Sequence, residues 1–479
     1  MVDDPEKTEL FFTKPLPSVN LAPWVSNKIK HNFRSAKMNI STQQLSTFEF
    51  ELFKKFSSHD ILSIAEIWKG RILEITSVDR AEISGELRRG RSAISHIDIV
   101  VASHNIPHTI AEMENISGIQ SFQKRASNLF ELRLSNDIPL LVWLTLPISF
   151  ATALLYTTGP SAHTDWLNAL AIANNNHVSF HGCWQDKHLM EIRSEEEIYH
   201  LLQLPFFPPE IRELQISQEN IAELNFRNLI TQADIRSDLH THSDWSDGKN
   251  SLEEMVCAAL IRNLSLIAIT DHSPRLMHPR YTNPSYFHEQ QAQIDELNEK
   301  YHHQIAILKG VEVDILPDGS LDLPIEVLKT MDIVVASLHI ELDQPRPVIT
   351  ERLIRAIENP FVDIIGHPGG RLFPMHDIAD LDWDRVYRAA AYNQVALEIN
   401  SHKAHPLFDD PKVRAAVSGG VPICLNSDAH SAAMLDQSIF GINIARRAGL
   451  SKSQVINTWS PNHLKIWLKR RSKLISMER

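Results

Sequence analysis

The stretch DLHTHSDWSDG, residues 238–248, closes an apolar segment and introduces two histidines and an aspartate in quick succession. His240 and His242 are two residues apart, so on an extended strand both imidazoles point to the same side. Asp247 follows five residues after His242. The pattern predicts a β-strand whose carboxyl end delivers side chains that bind one metal site.

The same arrangement recurs throughout the C-terminal half of the chain. Apolar, β-rich runs that end in metal-capable residues occupy 235–240, 266–272, 305–312, 333–339, 362–367, 395–400 and 421–428. Helical patterns lie between them at 252–260, 289–301, 349–357 and 383–392. This alternation predicts an α/β fold, either a parallel barrel or a doubly wound sheet. Both folds place functional residues at the carboxyl ends of strands.

Nine residues at or just beyond these strand ends form the candidate ligand set. They are His240, His242, Asp247, His272, Glu312, His339, His367, Asp428 and His430. The chain has 24 histidines, and any single one is more often a surface or core residue than a ligand. Their joint placement at successive strand ends, rather than any one motif, favours a metal site.

The motifs HTHSDWSDG, TDHS, GVEVD, SLH, GHPGGR and NSDAH together resemble a PHP (polymerase and histidinol phosphatase) domain. The resemblance implies a distorted seven-stranded β/α barrel with a trinuclear metal site, with Asp428, Glu312 and Arg371 as catalytic residues. It also implies how the ligands are shared: His240, His242, Glu312 and Asp428 for one ion, bridging Glu312 with His339 and His367 for a second, and Asp247, His272 and His430 for the third.

Such a centre favours anionic substrates. Three divalent ions and three carboxylates leave about +3 charges if the histidines are neutral, as ligation requires. Closely spaced ions activate water for attack on phosphorus, and Arg371 is a candidate for gripping a phosphate oxygen, with a surface arginine as the alternative. Mixed histidine and carboxylate ligands suit Mn²⁺, Zn²⁺ or Fe²⁺, and of these we expect Mn²⁺.

The segment AEISGELRRGRSAISHIDIVVAS, residues 81–103, resembles the palm of a family X DNA polymerase, which carries Gly-Ser-x-Arg-Arg-Gly before an Asp-x-Asp strand. LYTTGP, residues 155–160, resembles the nucleotide-binding turn of that family. Palm, thumb and PHP domain follow one another in the bacterial members. We therefore predict a helical N-terminal region at 1–75, a degenerate palm and thumb at 76–228, and a PHP phosphoesterase domain at 232–479.

The palm motifs depart from the family where the polymerase chemistry lies. The three carboxylates that hold two Mg²⁺ ions fall on His96, Asp98 and Trp143, so only Asp98 remains. Glu86 replaces the serine that meets the triphosphate and would repel it. Thr157 replaces the second aromatic residue of the turn. One carboxylate does not hold two Mg²⁺ ions against a triphosphate, which favours a scaffold over a polymerase with unusual ligands.

Charge and composition limit the kinds of partner that the chain is expected to bind. A net charge of −12 excludes a global basic field, so DNA contact depends on local groups such as Arg88, Arg89 and Arg91, or on the basic run at 465–473. The three separated cysteines argue against a disulfide framework and fit a cytoplasmic protein. The charge-free stretch 138–164 is divided by Pro139 and Pro147, which predicts a strand at 140–146 and a helix at 148–156 rather than a membrane span.

The expected function is a metal-dependent phosphoesterase that acts on DNA 3′ ends in DNA repair. Its activities would include 3′→5′ exonuclease and either abasic-site cleavage or 3′-phosphatase, with polymerase activity lost. The alternatives are a small-molecule phosphatase of the histidinol-phosphatase type, an active family X polymerase, and a non-catalytic DNA-binding scaffold. DNA is the expected partner, and the sequence points to no obligate protein partner and no membrane.

Overall fold

The structure is a computed structural model that describes residues 56–185, 187–214, 228–273, 285–371, 377–402 and 408–477. All of these belong to one compact unit of the chain, Lys55–Arg479. Most of the predicted N-terminal helical region, residues 1–55, lies outside the described residues. The helical pattern that follows it forms a helix, as predicted, at Ser58–Leu73.

The first described layer is a five-stranded sheet, accompanied by a separate two-stranded sheet and with helices packed on its apolar face. Its elements are β1 (Phe56–Ser57), α1 (Ser58–Leu73), β2 (Val78–Ser84), α2 (Gly85–Arg88), β3 (Ala93–Ile94), β4 (Ile97–Ser103), α3 (Ile106–Glu114), β5 (Ile119–Lys124), β6 (Leu129–Leu134) and β7 (Pro139–Thr145). The strand order is β2-β4-β7-β6-β5, with β4 parallel to β7 and antiparallel to β2. Every residue of β4 is buried, as expected of a central strand.

The charge-free stretch leads out of this sheet into a helical layer. Its elements are α4 (Phe150–Thr158), α5 (Ser161–Ala173), β8 (Asn176–Ser179), β9 (Gly182–Gln185), β10 (His188–Met190) and α6 (Glu195–Leu201). The predicted strand and helix of this stretch are confirmed as β7 and α4. None of the helices in the described ranges is long and apolar enough to cross a membrane.

The C-terminal half contains seven parallel strands in sequence order. They are β11 (Ser237–Asp238), β12 (Leu266–Ile269), β13 (Ala306–Asp314), β14 (Ile333–Ser337), β15 (Ile364–Ile365), β18 (Ala396–Asn400) and β19 (Ile423–Asn426), with a small hairpin of β16 (Gly370–Arg371) and β17 (Asp377–Ile378) inserted. A parallel bridge between Thr241 and Ala429 joins the first strand to the last. The predicted barrel is therefore confirmed, and the doubly wound alternative is wrong.

Helices surround the barrel and one helix closes its amino-terminal end. They are α7 (Leu252–Ile261), α8 (Ser285–Lys300), α9 (Ile325–Leu328), α10 (Arg346–Glu358), α11 (Trp383–Asn393), α12 (Asp410–Ser418), α13 (Ser438–Arg447) and α14 (Pro461–Met477). Leu464 and Trp467 of α14 pack against the first interior residues of the strands, such as Leu266 and Ile333. Because this end is filled with apolar side chains, the opposite, carboxyl end is the one left for a polar site.

Of the five apolar clusters among the described residues, one joins β4 to α4 and one fills the barrel interior, and the other three follow the predicted division between palm, thumb and barrel. One lies in the five-stranded sheet, one between α4, α5 and α6, and one between the barrel strands and their helices. The predicted boundary near residue 228 borders residues 215–227, which lie outside the described part, so the domain limits stay a prediction. The three cysteines are free; Cys424 is buried in the barrel interior, and Cys257 is only partly buried.

Candidate metal centre

The nine predicted ligands meet at the carboxyl end of the barrel. Their ligand atoms lie within 4.8 Å of one another in three groups: His240, His242 and Asp428; His272, Glu312 and His339; and His242, Asp247, His272 and His430. His367 joins them through Nε2, which lies 3.0 Å from Oε1 of Glu312. The sequence therefore predicted which residues the fold brings together, although their role as ligands stays a proposal.

Glu312 lies between two sets of histidines and turns one oxygen to each. Its Oε2 is 3.3 Å from Nε2 of His240 and 3.5 Å from Nε2 of His242. Its Oε1 is 3.3 Å from Nε2 of His339 and 3.0 Å from Nε2 of His367. A carboxylate divided in this way suits two neighbouring cations, which supports the bridging role that the sequence predicted for Glu312.

The third group forms the solvent-facing side of the centre. The Asp247 side chain is 56% exposed and that of His430 is 24% exposed, and their Oδ2 and Nε2 atoms are 3.3 Å apart. Nε2 of His272 lies 3.6 Å from Oδ1 of Asp247. The other predicted ligands are almost completely buried. Substrate would therefore approach from the side of Asp247 and His430.

A second layer of acceptors fixes the orientation of several rings. Nδ1 of His240 lies 2.8 Å from Oε1 of Glu398, and Nδ1 of His339 lies 2.5 Å from Oδ1 of Asp314. Nδ1 of His430 lies 2.9 Å from the carbonyl oxygen of Asp428. Partners of this kind hold the proton on Nδ1 and leave Nε2 as the ligand atom.

The sequence analysis missed Glu398 and Asp314. Asp314 lies two residues after Glu312, the same spacing that linked His240 to His242, so the alternation of strand side chains contained the signal. Glu398 lies on β18, the strand that supplies no predicted ligand. It is fully buried, and its charge marks it as part of the centre because buried carboxylates need partners.

Two of the predicted ligands have left-handed backbone conformations. The φ angles are 25° at His367 and 52° at Asp428, a region that residues other than glycine rarely adopt. Backbone hydrogen bonds hold both: the His367 N–H donates to Oε2 of Glu398 (2.7 Å), and the Asp428 N–H donates to the His240 carbonyl (3.1 Å). Strain of this kind concentrates where function fixes side-chain geometry.

Asp271 is not among the predicted ligands, and in the structure it stabilises a turn beside them instead. Its carboxylate accepts hydrogen bonds from the Ser243 N–H (2.7 Å), the Ser243 hydroxyl (2.6 Å) and the amide of Gln290 (2.6 Å), as well as from the Ser246 hydroxyl. These bonds fix the turn between His242 and Asp247. Asp271 thus acts as a positioning residue for the exposed side of the centre.

The electrostatics of the centre suit cations. Burial alone would raise the pKa of the Glu312 carboxyl, but the adjacent rings of His240, His272 and His339 hold it well below its usual range. Burial lowers the pKa of His339, yet the Glu312 carboxylate outweighs it and raises that pKa to about 9. Carboxylates that attract protons so strongly to buried rings would attract divalent cations in the same way.

Several buried ring nitrogens of the centre make no hydrogen bond with the described residues. Nε2 of His240 and Nε2 of His339 each lie 3.3 Å from a Glu312 oxygen, yet neither makes a hydrogen bond of acceptable geometry. Nδ1 of His242 is likewise buried without a hydrogen-bond partner among the described residues. Buried nitrogens are rarely left in this way, and metal ions bound at the centre would account for all three. The residues present therefore fit the predicted ions.

Comparisons with known proteins agree with this geometry. Residues 238–402 match the family model of the PHP domain, and residues 153–213 match that of the DNA polymerase beta thumb. The DNA polymerase/3′-5′ exonuclease PolX of Bacillus subtilis is 34% identical over 417 residues, which cover 85% of this chain and 72% of that protein. The chain belongs to the PolX family.

Other relatives of this PolX family member match about half of the chain. A probable phosphatase of Thermoanaerobacter sp. is 34% identical over 252 residues, which cover 50% of this chain and 97% of that protein. A probable phosphatase of Vibrio parahaemolyticus is 29% identical and covers 50% of this chain and 95% of its own length.

The palm of this PolX family member brings together the three positions at which the family resemblance places carboxylates. Oδ1 of Asp98 accepts a hydrogen bond from the indole N–H of Trp143 (2.9 Å), and Oδ2 lies 3.1 Å from Nε2 of His96. Burial would lower the pKa of His96, but Asp98 raises it above its usual value. Both oxygens of the one remaining carboxylate therefore already have donors.

Glu86 extends this cluster. Its Oε2 accepts hydrogen bonds from the N–H (2.9 Å) and hydroxyl (3.2 Å) of Ser95, and that hydroxyl lies 2.8 Å from Nδ1 of His96. Only glycine fits at position 85, beside Asp98. The φ angle of Gly85 is +65°, and a Cβ there would lie 2.0 Å from Oδ2 of Asp98. Among the described residues, no metal-capable group lies in the palm, and all three lie in the barrel.

The arginines predicted to hold DNA pair with carboxylates of the thumb. Nη2 of Arg88 donates to Oε2 of Glu195 (2.5 Å), and Nε of Arg89 donates to Oε1 of Glu213 (2.7 Å). Nη2 of Arg91 lies 2.9 Å from Oε2 of Glu213. Their predicted contact with DNA stays a prediction, and the geometry favours a role in joining palm to thumb.

Further ion pairs join the thumb to the barrel. Nε of Arg446 donates to Oε1 of Glu210 (2.9 Å), and Nη2 of Arg447, on the same helix α13, lies 2.6 Å from Oδ1 of Asp410 and 4.0 Å from Oε2 of Glu213. Glu213 therefore faces arginines of both palm and barrel. Arg371 lies in β16 near the metal centre, but its side chain is outside the described part, so its catalytic role stays a prediction.

Proposed function

We propose that this protein is a metal-dependent phosphoesterase that hydrolyses DNA from its 3′ ends and that no longer polymerises nucleotides. One contrast carries the proposal. In the barrel, nine ligand side chains converge with their supporting carboxylates, whereas in the palm both oxygens of Asp98 are engaged by His96 and Trp143. We therefore infer that the residues for hydrolysis are retained and that those for polymerisation are not.

The residues of the centre divide the work of hydrolysis. Bound divalent ions supply charge neutralisation of a phosphate group and activation of a water molecule. Glu312 and Asp428 provide the buried anionic positions, and Glu398 orients His240 through its Nδ1 atom at 2.8 Å. Mixed histidine and carboxylate ligands suit Mn²⁺, Zn²⁺ and Fe²⁺ alike, and Mn²⁺ is the ion that we expect among them.

The burial gradient determines where substrate binds. Seven of the ligands line the closed interior, so a phosphate enters beside Asp247 and His430, the exposed members of the set. A chain end reaches such a one-sided centre more easily than the middle of a duplex, which supports action on 3′ ends. Abasic-site cleavage and 3′-phosphatase activity would use the same approach.

A DNA substrate is supported by the companion domains. The Bacillus subtilis relative, whose name gives it polymerase and 3′-5′ exonuclease activity, aligns with 85% of this chain. The palm and thumb remain tied to the barrel through Glu210 and Glu213. Because this link is present although two palm carboxylates are replaced, we infer that the palm and thumb still contribute to the function of the barrel. On this proposal that function is part of DNA repair.

A small-molecule phosphatase is the second candidate. Proteins named as probable phosphatases align with the barrel over nearly their whole length, 97% for the Thermoanaerobacter relative. The barrel alone contains the complete candidate ligand set, so it needs no companion for a small phosphomonoester.

The test compares the two substrates on one preparation. The Mn²⁺-loaded protein is assayed on 5′-labelled single-stranded and primed DNA, and separately on p-nitrophenyl phosphate. We expect stepwise shortening of DNA with a higher kcat/KM than for the small ester, and loss of both activities in Asp428→Asn. Asp343→Asn, an exposed change at the same end of the barrel, is the matched control. Faster turnover of the small ester than of any DNA would establish the phosphatase instead.

A further inference from the structure

Few positive side chains are described at the exposed side of the metal centre. Seven loops connect the carboxyl ends of the barrel strands to the next helix. Within the described side chains of these loops, Lys249 is the single lysine or arginine. Several aspartates and glutamates, such as Asp244 and Asp343, are exposed in the same loops. Among the described side chains of these loops, Lys249 is therefore the cation available to a polyanion beyond the metal ions.

The backbone of Lys249 is fixed against the metal centre. Its N–H donates to the carbonyl oxygen of His430 at 2.8 Å. On one side, the Gly248 N–H donates to the Ser243 carbonyl (3.0 Å), and a Cβ at Gly248 would lie 2.7 Å from that group. On the other side, Oδ1 of Asn250 accepts from the Ala432 N–H (3.0 Å). The base of the lysine side chain is thus held beside His430.

The side chain of Lys249 has no internal task. It is exposed, and it makes no ion pair or hydrogen bond with the described residues. The exposed Asp247 is already engaged by His430 at 3.3 Å. A fixed base with an uncommitted ammonium group suits an anion that comes from solution.

We propose that Lys249 binds a second phosphate group of a polyanionic substrate, one that lies outside the metal ions while they hold the scissile phosphate. The proposal rests on the proposed function and names its substrate class: a single-stranded nucleic acid chain rather than a lone phosphomonoester. A monoester offers only the phosphate that the ions take, so Lys249 would distinguish a chain from a small ester.

The test measures binding rather than turnover. A fluorescein-labelled oligothymidylate with phosphorothioate linkages is titrated with the full-length, Mn²⁺-loaded protein, and anisotropy is followed from low to moderate salt. Lys249→Gln should weaken binding on the order of tenfold at low salt, and the slope of log K against log salt should shrink by about 0.7, the value of one phosphate contact on a single strand. Lys249→Arg should restore both quantities.

Lys329→Gln is the matched control, because Lys329 is exposed at the amino-terminal end of β14, opposite the centre. Inhibition of p-nitrophenyl phosphate hydrolysis by inorganic phosphate should be unchanged in Lys249→Gln. Equal affinity and equal salt slope in the wild type and Lys249→Gln would overturn the inference, as would an equal loss in Lys329→Gln. Failure of the proposed function would look different: the oligonucleotide would bind through Lys249, but unmodified DNA would not be shortened.

Discussion

Glu398 is the residue whose replacement tests the supporting layer of the centre most sharply. It is fully buried and accepts four hydrogen bonds, two on each oxygen. Oε1 accepts from Nδ1 of His240 (2.8 Å) and the Asn426 amide (2.8 Å). Oε2 accepts from the His367 N–H (2.7 Å) and the Asn400 amide (2.9 Å). No isosteric neutral side chain can accept at both positions.

Glu398→Gln keeps the shape and turns one acceptor into a donor. Each oxygen of Glu398 accepts from two donors, so whichever way the new amide is turned, its NH₂ group faces two of those donors instead of an acceptor. Each buried donor left without a partner costs about 1–3 kcal/mol, so the fold near the centre loses roughly 2–6 kcal/mol. If the NH₂ faces His240, the proton of that ring moves to Nε2 and blocks the ligand atom. Loss of such a supporting partner weakens metal binding by roughly 10- to 100-fold.

The assay is metal retention. Wild type and Glu398→Gln are loaded with Mn²⁺, dialysed against a graded series of chelator concentrations, and analysed for metal per chain, with the thermal midpoint recorded in parallel. We expect Glu398→Gln to release metal at a 10- to 100-fold lower chelator strength, roughly as other supporting residues behave. Glu326→Gln, an exposed change on α9, should behave as wild type. Unchanged metal retention and an unchanged midpoint in Glu398→Gln would refute the reasoning.

Three further outcomes are expected. Glu312→Gln should release more than one metal ion per chain by elemental analysis, because its two oxygens face different histidines; full metal content would exclude a bridging role. Glu213→Gln should lower the thermal midpoint by the equivalent of about 1–3 kcal/mol, since Arg89 and Arg91 lose their partner, and an unchanged midpoint would contradict its joining role. Burial, followed by the nearby Arg212 charge, lowers the pKa of His163 to about 3, so its unfolded state binds a proton below pH 6.5 that the folded state does not. Between about pH 6.5 and 5 the free energy of unfolding of the wild type should therefore fall by about 2 kcal/mol more than that of His163→Gln, as measured by denaturant titration at each pH. Parallel curves of unfolding free energy against pH for the two proteins would show that His163 does not cause the pH dependence.

The convergence of the nine candidate ligands could be predicted because it follows from local rules. Each lies at the end of an apolar run, and parallel strands bring their carboxyl ends to one side of a barrel whatever the details of the helices. The same rule covers Asp314, which ends β13, whereas Glu398 lies in the middle of β18. They were missed because their partners are histidine Nδ1 atoms, and sequence alone does not say which ring nitrogen faces inward.

The pairing of the palm arginines could not be predicted in the same way. Arg88 and Glu195 are 107 residues apart, and Arg89 and Glu213 are 124 residues apart. No periodic pattern connects positions that only the packing of palm on thumb brings together. The sequence therefore presented Arg88 and Arg89 as a basic turn available to DNA, whereas the structure engages both with buried or partly buried carboxylates.

The replacement of two palm carboxylates was visible in the sequence, but its structural consequence was not. Replacement of two carboxylates by His96 and Trp143 follows from the motif alone. That these two side chains donate to both oxygens of Asp98 depends on the parallel pairing of β4 with β7, which places Trp143 beside Val100. The replacements thus do more than remove ligands, because they also occupy the one that remains.

One measurement tests the central claim most directly, because it lets hydrolysis and polymerisation compete in a single tube. A 5′-labelled primer on a longer template is incubated with the Mn²⁺-loaded protein and all four deoxynucleoside triphosphates, and the primer length is followed with time. We predict that the primer only shortens, and that Asp428→Asn leaves it unchanged in length. A primer that lengthens, in a reaction that survives Asp428→Asn but is lost in Asp98→Ala, would contradict the account.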